Sequence, residues 1–528
     1  MEQLTKKKEI INFFFKKGIL VSSDYAQDIE EQDSDKIYSL INEKIKSELF
    51  LVLNKDISEL LAKNKDFMID WLGLEKSRAE FEKGKNNEVY KQFIQFLEKP
   101  AEVKEQTPLE KKKVKIIISY GEDSKKRDIQ DFVSHLNSRY QSLEKILRQR
   151  QEMQNIMSIN RIIPKKDREQ VSLIGMVVDK QKTKNNNIVL VLEDPSGSIK
   201  VLVNKNKPEL FNLANDVVLD EVIGIVGVNG DKIVFANNIV WPEIPAIKEL
   251  KKSPDETYAL FLSDMHVGSN NFLAEDFNKF LRWINQDLGN ETQKNIANKV
   301  KYIFIAGDAI DGCGVYPSQE QELVIKDVQS QYEECARLLG QIPRNINIII
   351  CPGNHDAVQI EEPQPPLYLN FAKSLYNLPN VTLVSNPSLV NIHSSDNFPG
   401  FDVLMYHGFS FDYFIANVDG LRTKGGYDRA DIVMRFLLKR RHLAPSHESN
   451  LRIPDANKDP LFIKTVPDFF VTGHIHKSIA ANYRNVTLIC GSCWQSKTAF
   501  QEKVGHNPEP SRVPIVNLKT REIKILRF

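Results

Sequence analysis

Hydrophobic and polar positions change their period several times along the chain. In the first part Ile37, Leu40, Ile41, Ile45 and Leu49 recur at three- and four-residue steps, and Ile57, Leu60 and Leu61 begin a second stripe. That is the spacing of amphipathic helices, and it predicts a small α-helical N-terminal domain over residues 1–74. Residues 75–113 turn charge-rich, with Pro100, Pro108 and the run Lys111-Lys112-Lys113, and read as a charged linker. Over 114–168 a strand (Val114 to Tyr120) precedes a helix carrying Phe132, Val133, Leu136, Tyr140, Leu143 and Leu147, a strand–helix connecting segment. Between 169 and 245 the period changes again. Strands are expected at 171–178, 187–192 and 199–203, then a short helix at 208–213, then strands at 221–228 and 233–235. Turn chemistry at Asp194-Pro195-Ser196-Gly197 and Asn229-Gly230-Asp231 separates them. Strands in this order, with a helix between the third and fourth, predict a β-barrel of the OB-fold type. Aromatics are sparse on these strands, which leaves open whether such a barrel holds nucleic acid or protein.

From 252 to 528 continuous apolar runs alternate with helical stretches: Tyr258 to Leu262, Tyr302 to Ala306, Ile346 to Cys351, Val403 to Tyr406 and Phe469 to Thr472. Runs of this kind are strands buried on both faces, the mark of an α/β domain. The chain has 528 residues, 41% of them hydrophobic and 27% charged, which suits several packed domains. Its 71 basic residues nearly cancel 70 acidic ones, so nucleic-acid binding, if present, must come from local patches. Five cysteines do not make a disulfide framework, and a reducing, cytoplasmic setting fits. The apolar stretch Ile10-Ile11-Asn12-Phe13-Phe14-Phe15 is short, carries an Asn and lacks a small-residue cleavage site, so it does not read as a leader peptide. No segment reaches the roughly 18 apolar residues of a membrane span.

Each of the five apolar runs ends at polar donors: Asp264-Met265-His266, Asp308-Ala309-Ile310-Asp311, Asn354-His355-Asp356, His407, and His474-Ile475-His476. Strand ends of one sheet system bring such residues into one pocket. Asp264, His266, Asp308, Asn354, His407, His474 and His476 are hard-to-borderline donors, and Asp308 has two oxygens with which to bridge. The set points to two divalent metal ions and to hydrolysis of a phosphate ester. His355 is not needed as a ligand; an imidazole there suits protonation of a leaving alkoxide or stabilisation of transition-state charge. Asp311 could accept that imidazole's N–H and fix its tautomer. Cys490-Gly491-Ser492-Cys493 has no second pair beside it and reads as packing. Lys439-Arg440-Arg441-His442 closes a helix, where the dipole favours cations; contact with a phosphate backbone is the alternative.

These motifs resemble the calcineurin-like metallophosphoesterases. Longer stretches, Ser263 to Ser269, Gly307 to Gly312 with Tyr316-Pro317, Leu437 to Pro445, Val466 to His476 and Asn507 to Val516, are similar to the small subunit of archaeal family D DNA polymerase. The resemblance runs from about Val114 to the C-terminus. It implies a first ion held by Asp264, His266, Asp308 and His476, and a second held by Asp308, Asn354, His407 and His474, with His355 as the catalytic histidine. It further implies manganese-supported 3′→5′ exonuclease action on DNA 3′ ends, with magnesium, iron or zinc as other candidate ions, and a large subunit that carries polymerase activity. Related B-subunits that have lost metal ligands act as scaffolds, and stand-alone repair nucleases share the phosphoesterase domain. The filled ligand set argues against a scaffold alone, and the barrel ahead of the phosphoesterase argues against a stand-alone nuclease.

Overall fold

The computed structural model describes residues 114–528, apart from 122–125, 166–167, 456 and 504, together with the pairs 13–14, 20–21, 38–39 and 52–53. The chain divides into two compact units, 1–109 and 110–528. In the first, Phe13–Phe14 and Tyr38–Ser39 are helical, and strand β1 (Leu20–Val21) pairs in parallel with β2 (Val52–Leu53). The strand pair is something no periodicity announced. The Leu40–Leu49 stretch of the first helical stripe, the second stripe at 57–61 and the linker expected over 75–113 lie outside the described residues. Among the described residues no helix is long and apolar enough to cross a membrane.

The second unit contains a closed barrel of β4 (Gln170–Lys182), β5 (Ile188–Asp194), β6 (Gly197–Val203), β7 (Val222–Asn229) and β8 (Ile233–Val240), paired in the order β4-β5-β6-β8-β7. A helix, Pro208–Asn215, lies between β6 and β7 in the chain, as expected of an OB-fold. Alternation along the strands drives closure: Leu190, Leu192, Val201, Val203, Ile223 and Ile225 fill one interior.

Two six-stranded sheets form the rest of the unit. The first runs β12 (Val381–Leu383), β11 (Asn347–Cys351), β10 (Val300–Ala306), β9 (Tyr258–Leu262), β18 (Arg512–Asn517), β19 (Ile523–Arg527). The second runs β16 (Ile479–Tyr483), β17 (Val486–Cys490), β15 (Phe469–Thr472), β14 (Phe401–Met405), β13 (Ser388–Ile392), β3 (Val114–Ile118). Side-chain alternation assigns each face. Phe261, Tyr302, Phe304, Ile349, Val403, Phe469 and Val471 meet between the sheets. Their neighbours Leu260, Leu262, Ile303, Ile305, Ile348 and Ile350 pack under helices Ala274–Ile284 and Val328–Leu339. On the far side Leu404, Phe470 and Leu488 pack under helices Phe411–Asn417 and Ala430–Arg440. Burial on both faces is why these strands read as unbroken apolar runs. Within the first sheet β9, β10 and β11 are parallel, and within the second β14, β15 and β17 are parallel. Each parallel set therefore has its C-terminal ends along one edge, which is where loops can build a site.

The segment 114–147 is part of these bodies. Strand β3 completes the second sheet by pairing with β13, and helix Ile129–Leu147, capped by Asp128, lays Tyr140, Leu143 and Leu147 on the barrel residues Ile174, Val222 and Val240. The barrel is joined to the sandwich by a buried ion pair. Arg440 Nε lies 2.6 Å from Glu221 Oε2, whose carboxylate also accepts from Trp241 Nε1 at 3.1 Å, and Lys439 sits 3.8 Å over the Trp241 ring. Arg440, Arg441 and His442 are buried at 4%, 5% and 1% exposure, so these three serve the interior and are not available to a phosphate backbone. Arg441 Nε donates to the Ile463 carbonyl, and His442 Nε2 pairs with Asp459.

Candidate metal centre

Just past the parallel strand ends the chain folds back sharply. Asp264, His266, Asp308, His474 and His476 have φ of 48°, 50°, 51°, 71° and 55°, a region that non-glycine residues seldom occupy. Such backbone is held only where surrounding contacts over-determine it. Two glycines make the approach possible. A Cβ on Gly353 would stand 2.2 Å from Asp308 Oδ1, and one on Gly473 would stand 2.5 Å from Asp264 Oδ2. The loops bearing Asn354 and His474 thus press bare backbone against the two carboxylates.

Two donor groups overlap at Asp264, Asp264 with His266 and His476, and Asp264 with Asp308 and His407, and a third joins His266 to Asp311 and His355. His266 Nε2 lies 3.1 Å from His476 Nε2, and His476 Nε2 lies 3.4 Å from Asp264 Oδ1. His407 Nε2 is 3.2 Å from Asp308 Oδ2 and 2.9 Å from Asn354 Oδ1. Asp308 Oδ2 also lies 4.0 Å from His266 Nε2, so this carboxylate stands between the two groups. The rear nitrogens are engaged: His266 Nδ1 is 2.9 Å from Asp311 Oδ1, and His407 Nδ1 donates to the Ala306 carbonyl at 2.8 Å. Binding the Nδ1 hydrogens from behind leaves Nε2 as the nitrogen turned inward, where a proton or a metal ion can take its lone pair. His474 is placed differently. Its amide donates to both Asp264 oxygens, its ring lies 5.1 Å from that of His407, and its Nε2 is 2.9 Å from Asp412 Oδ2.

Electrostatics supports a cation here. Asp264 and Asp308 are 0% and 1% exposed, and among the described residues no Lys or Arg lines the cavity beside them. Burial opposes ionisation of Asp308, yet the imidazoles of His407, His355 and His266 hold its carboxyl well below the usual range. Burial likewise opposes a charge on His407, but the Asp308 carboxylate outweighs it and lifts the imidazole to about 10. The carboxylates draw positive charge onto Nε2, the atom that faces them. Buried carboxylates stay ionised only with such a counter-charge, and oxygen and imidazole donors of this kind suit divalent ions. The residues therefore fit the ions that the donor set implies.

Asp311 divides its contacts. Its main-chain carbonyl accepts from His355 Nδ1 at 2.8 Å, while its carboxylate takes His266 and is held by Gln495 Nε2 at 3.0 Å and Gln319 Nε2 at 3.1 Å. His355 is half-buried, and burial lowers its pKa, so near neutral pH the imidazole is uncharged with Nε2 directed away from the carbonyl. Sequence reasoning missed Asp356, Gln319 and Gln495. Asp356 Oδ2 accepts from the amides of Gly353 at 2.9 Å and Ala309 at 3.3 Å, fastening the Asn354 loop to the Asp308 loop. Burial and the Asp308 charge raise its carboxyl to about 7. Its position at the end of Gly353-Asn354-His355-Asp356 was the available signal; the glutamines gave none. Cys490 and Cys493 are buried free thiols whose S–H groups donate to the carbonyls of Gly473 and Gln495. The donors open into a cavity of about 250 Å³ lined also by Tyr316, Phe409, Tyr427 and His506.

Comparisons with known proteins identify the domains that carry these residues. Residues 258–478 match the calcineurin-like phosphoesterase family, and residues 171–228 match the OB-fold nucleic acid binding domain. A solved structure described as a novel archaeal phosphodiesterase is similar at 13% identity and a TM-score of 0.26, over 52% of this chain and 100% of that one. The DNA polymerase II small subunit of Methanocaldococcus jannaschii is 38% identical over 74% of this chain and 64% of its own length. That of Methanothermobacter thermautotrophicus is 41% identical over 401 residues, 76% of this chain and 80% of the relative. With the phosphoesterase and barrel folds both in place, the chain belongs to the family of archaeal DNA polymerase II small subunits.

Proposed function

We propose that this chain is a 3′→5′ DNA exonuclease that removes mispaired nucleotides for the polymerase of which it is a subunit, and that it assembles with a large polymerase subunit. The observation that carries the reading is the pair of donor groups that share Asp264 and take in Asp308, with His355 beside them. Asp264, His266, Asp308 and His476 would hold one divalent ion, and Asp308, Asn354, His407 and His474 the other, with manganese the favoured metal. When bound, such ions make water a nucleophile near neutral pH and neutralise charge on the reacting oxygens. The protein's own groups do the positioning. Asp311 fixes both imidazoles from behind, through its carboxylate to His266 and its carbonyl to His355. With Nδ1 so tied, Nε2 is the nitrogen at which His355 takes up a proton, and from there it can pass that proton to the departing 3′ oxygen of the shortened strand. DNA as substrate is supported by the relatives' names and by the OB-fold match.

The test is release of nucleotides by the purified full-length chain from single-stranded or mispaired 3′ ends with Mn²⁺. Asp308→Ala and His355→Ala should abolish it, and undiminished release by both would refute the assignment. Assembly with a large subunit is checked separately, by co-purification of a polymerase chain from the native source.

A further inference from the structure

The cavity above the donor groups is unusual for one that is to hold a strand of DNA: among its lining residues there is no Lys or Arg. Among the described residues no Lys or Arg is placed to grip phosphate there, as such side chains do in most nucleic-acid sites. What the mouth offers is rings. Phe409, in the loop after β14, lies edge-on to His474 with centroids 5.9 Å apart. Beside it Tyr427 and His506 stand 4.0 Å apart, ring to ring. Tyr316 also lines the cavity, 6.3 Å from the His355 ring. All four are half-buried, and Phe409, His506 and Tyr316 belong to none of the hydrophobic cores among the described residues. Half-exposed rings at the mouth of a polar cavity are costly to leave in water and well suited to a flat apolar ligand face.

We infer that Phe409, with the Tyr427–His506 pair, is a stacking wall for the 3′-terminal nucleobase. The inference rests on the proposed exonuclease reading and deepens it. Hydrolysis forms a bond from the water oxygen to phosphorus and breaks the bond from phosphorus to the 3′ oxygen of the penultimate nucleotide. That oxygen leaves with the electron pair and takes a proton, and the water gives up its own to solvent. The leaving oxygen must face His355, so the rest of the strand passes beside His355 and Tyr316. The terminal nucleoside, still joined to phosphorus, is left to the wall formed by Phe409, Tyr427 and His506. A cavity of about 250 Å³ is on the scale of a single nucleotide and too small for a base still paired to its complement. The wall therefore selects frayed or mispaired ends, because a paired terminal base is already stacked and hydrogen-bonded in the duplex.

The experiment compares two single strands with Mn²⁺ and the full-length chain: one ending in a normal nucleotide, one ending in an abasic tetrahydrofuran nucleotide. Wild type should favour the base-bearing end in kcat/KM by on the order of tenfold. Phe409→Leu and Tyr427→Leu, which keep apolar volume without the ring, should shrink that ratio towards one, and Phe409→Trp should restore it. Equal rates on the two ends in wild type, or an unchanged ratio in both leucine variants, overturns the wall while leaving the exonuclease intact. Release from neither end by wild type overturns the exonuclease reading and the wall together.

Discussion

His442 gives the sharpest physical prediction, because its hydrogen bonds admit only one protonation state. Nε2 lies 2.7 Å from Asp459 Oδ2, and the Ala444 amide donates to Nδ1 at 3.0 Å. Nδ1 is therefore an acceptor, and a proton there would set two N–H groups head to head. Burial is the larger cause, and together with the Arg139 charge it prevails over the Asp459 carboxylate, bringing the imidazole down from 6.5 to about 3. The unfolded chain binds a proton near pH 6.5 and the folded chain does not until about 3, so stability is full above 6.5 and falls as pH drops from there towards 3. Integrating this difference from pH 7 to pH 5 gives a loss of about 2 kcal/mol from His442 alone. Asp459 does not blur the window: its partners Arg139 and His442 hold it well below 3.8 against burial, so it titrates at lower pH. The assay is denaturant unfolding of wild type and His442→Gln at pH 7 and pH 5. Glutamine keeps a donor for Asp459 and does not titrate. The variant should be less stable at pH 7, since the Ala444 amide loses its acceptor, yet lose about 2 kcal/mol less than wild type on acidification. Equal losses in the two proteins would show that His442 is protonated in the folded state.

Arg440→Ala should destabilise the second unit by about 3–5 kcal/mol, read by the same unfolding assay, because it strands the buried Glu221 carboxylate between barrel and sandwich. Arg440→Met with Glu221→Met should recover much of that loss, since no charge is then left alone. Gly353→Ala should abolish nucleotide release and weaken Mn²⁺ binding measured by calorimetry, because the added methyl falls 2.2 Å from Asp308 Oδ1. Divalent ions at about 100 times their Kd should stabilise wild type by about 2.7 kcal/mol, with the shift in thermal midpoint lost in Asp308→Ala.

What could be read in the sequence is what strand burial imposes on it. β9, β10, β11, β14 and β15 are apolar on successive residues because one face meets the opposite sheet and the other a helix layer, and the donors follow directly where each strand leaves the core. β12, β13 and β16 to β19 were not anticipated. β13, β17 and β18 are as buried, but Ser388, Asn391, Thr487, Arg512, Pro514 and Asn517 break their apolar runs, and β16 and β19 are half-exposed edges with a weak pattern. β3 was legible as a strand, though nothing local told that it pairs with β13, more than 260 residues away. The basic run at 439–442 shows the opposite limit. Spacing reveals a charged cluster but not whether its partner, here Glu221 or Asp459, comes from a distant element to bury it.

Asp311 shows why roles within a recognised site are harder to read than membership. One residue presents a carboxylate and a carbonyl, and the sequence cannot say which reaches which imidazole. In the folded chain the carbonyl, a fixed acceptor that never ionises, holds His355, and the carboxylate holds His266. The consequences differ for the two histidines. A carboxylate behind His266 makes its Nε2 a stronger donor to a cation, whereas a neutral carbonyl behind His355 orients the ring while adding little to its basicity. Asp311→Asn should therefore weaken metal affinity by the roughly 10–100-fold typical of a lost supporting carboxylate. At saturating Mn²⁺ the carbonyl contact still orients the His355 ring, while the pH profile of kcat moves to lower pH, because the Asp311 carboxylate 4.0 Å from His355 Nδ1 no longer raises that imidazole's pKa. That shift with unchanged metal affinity would reverse the two roles.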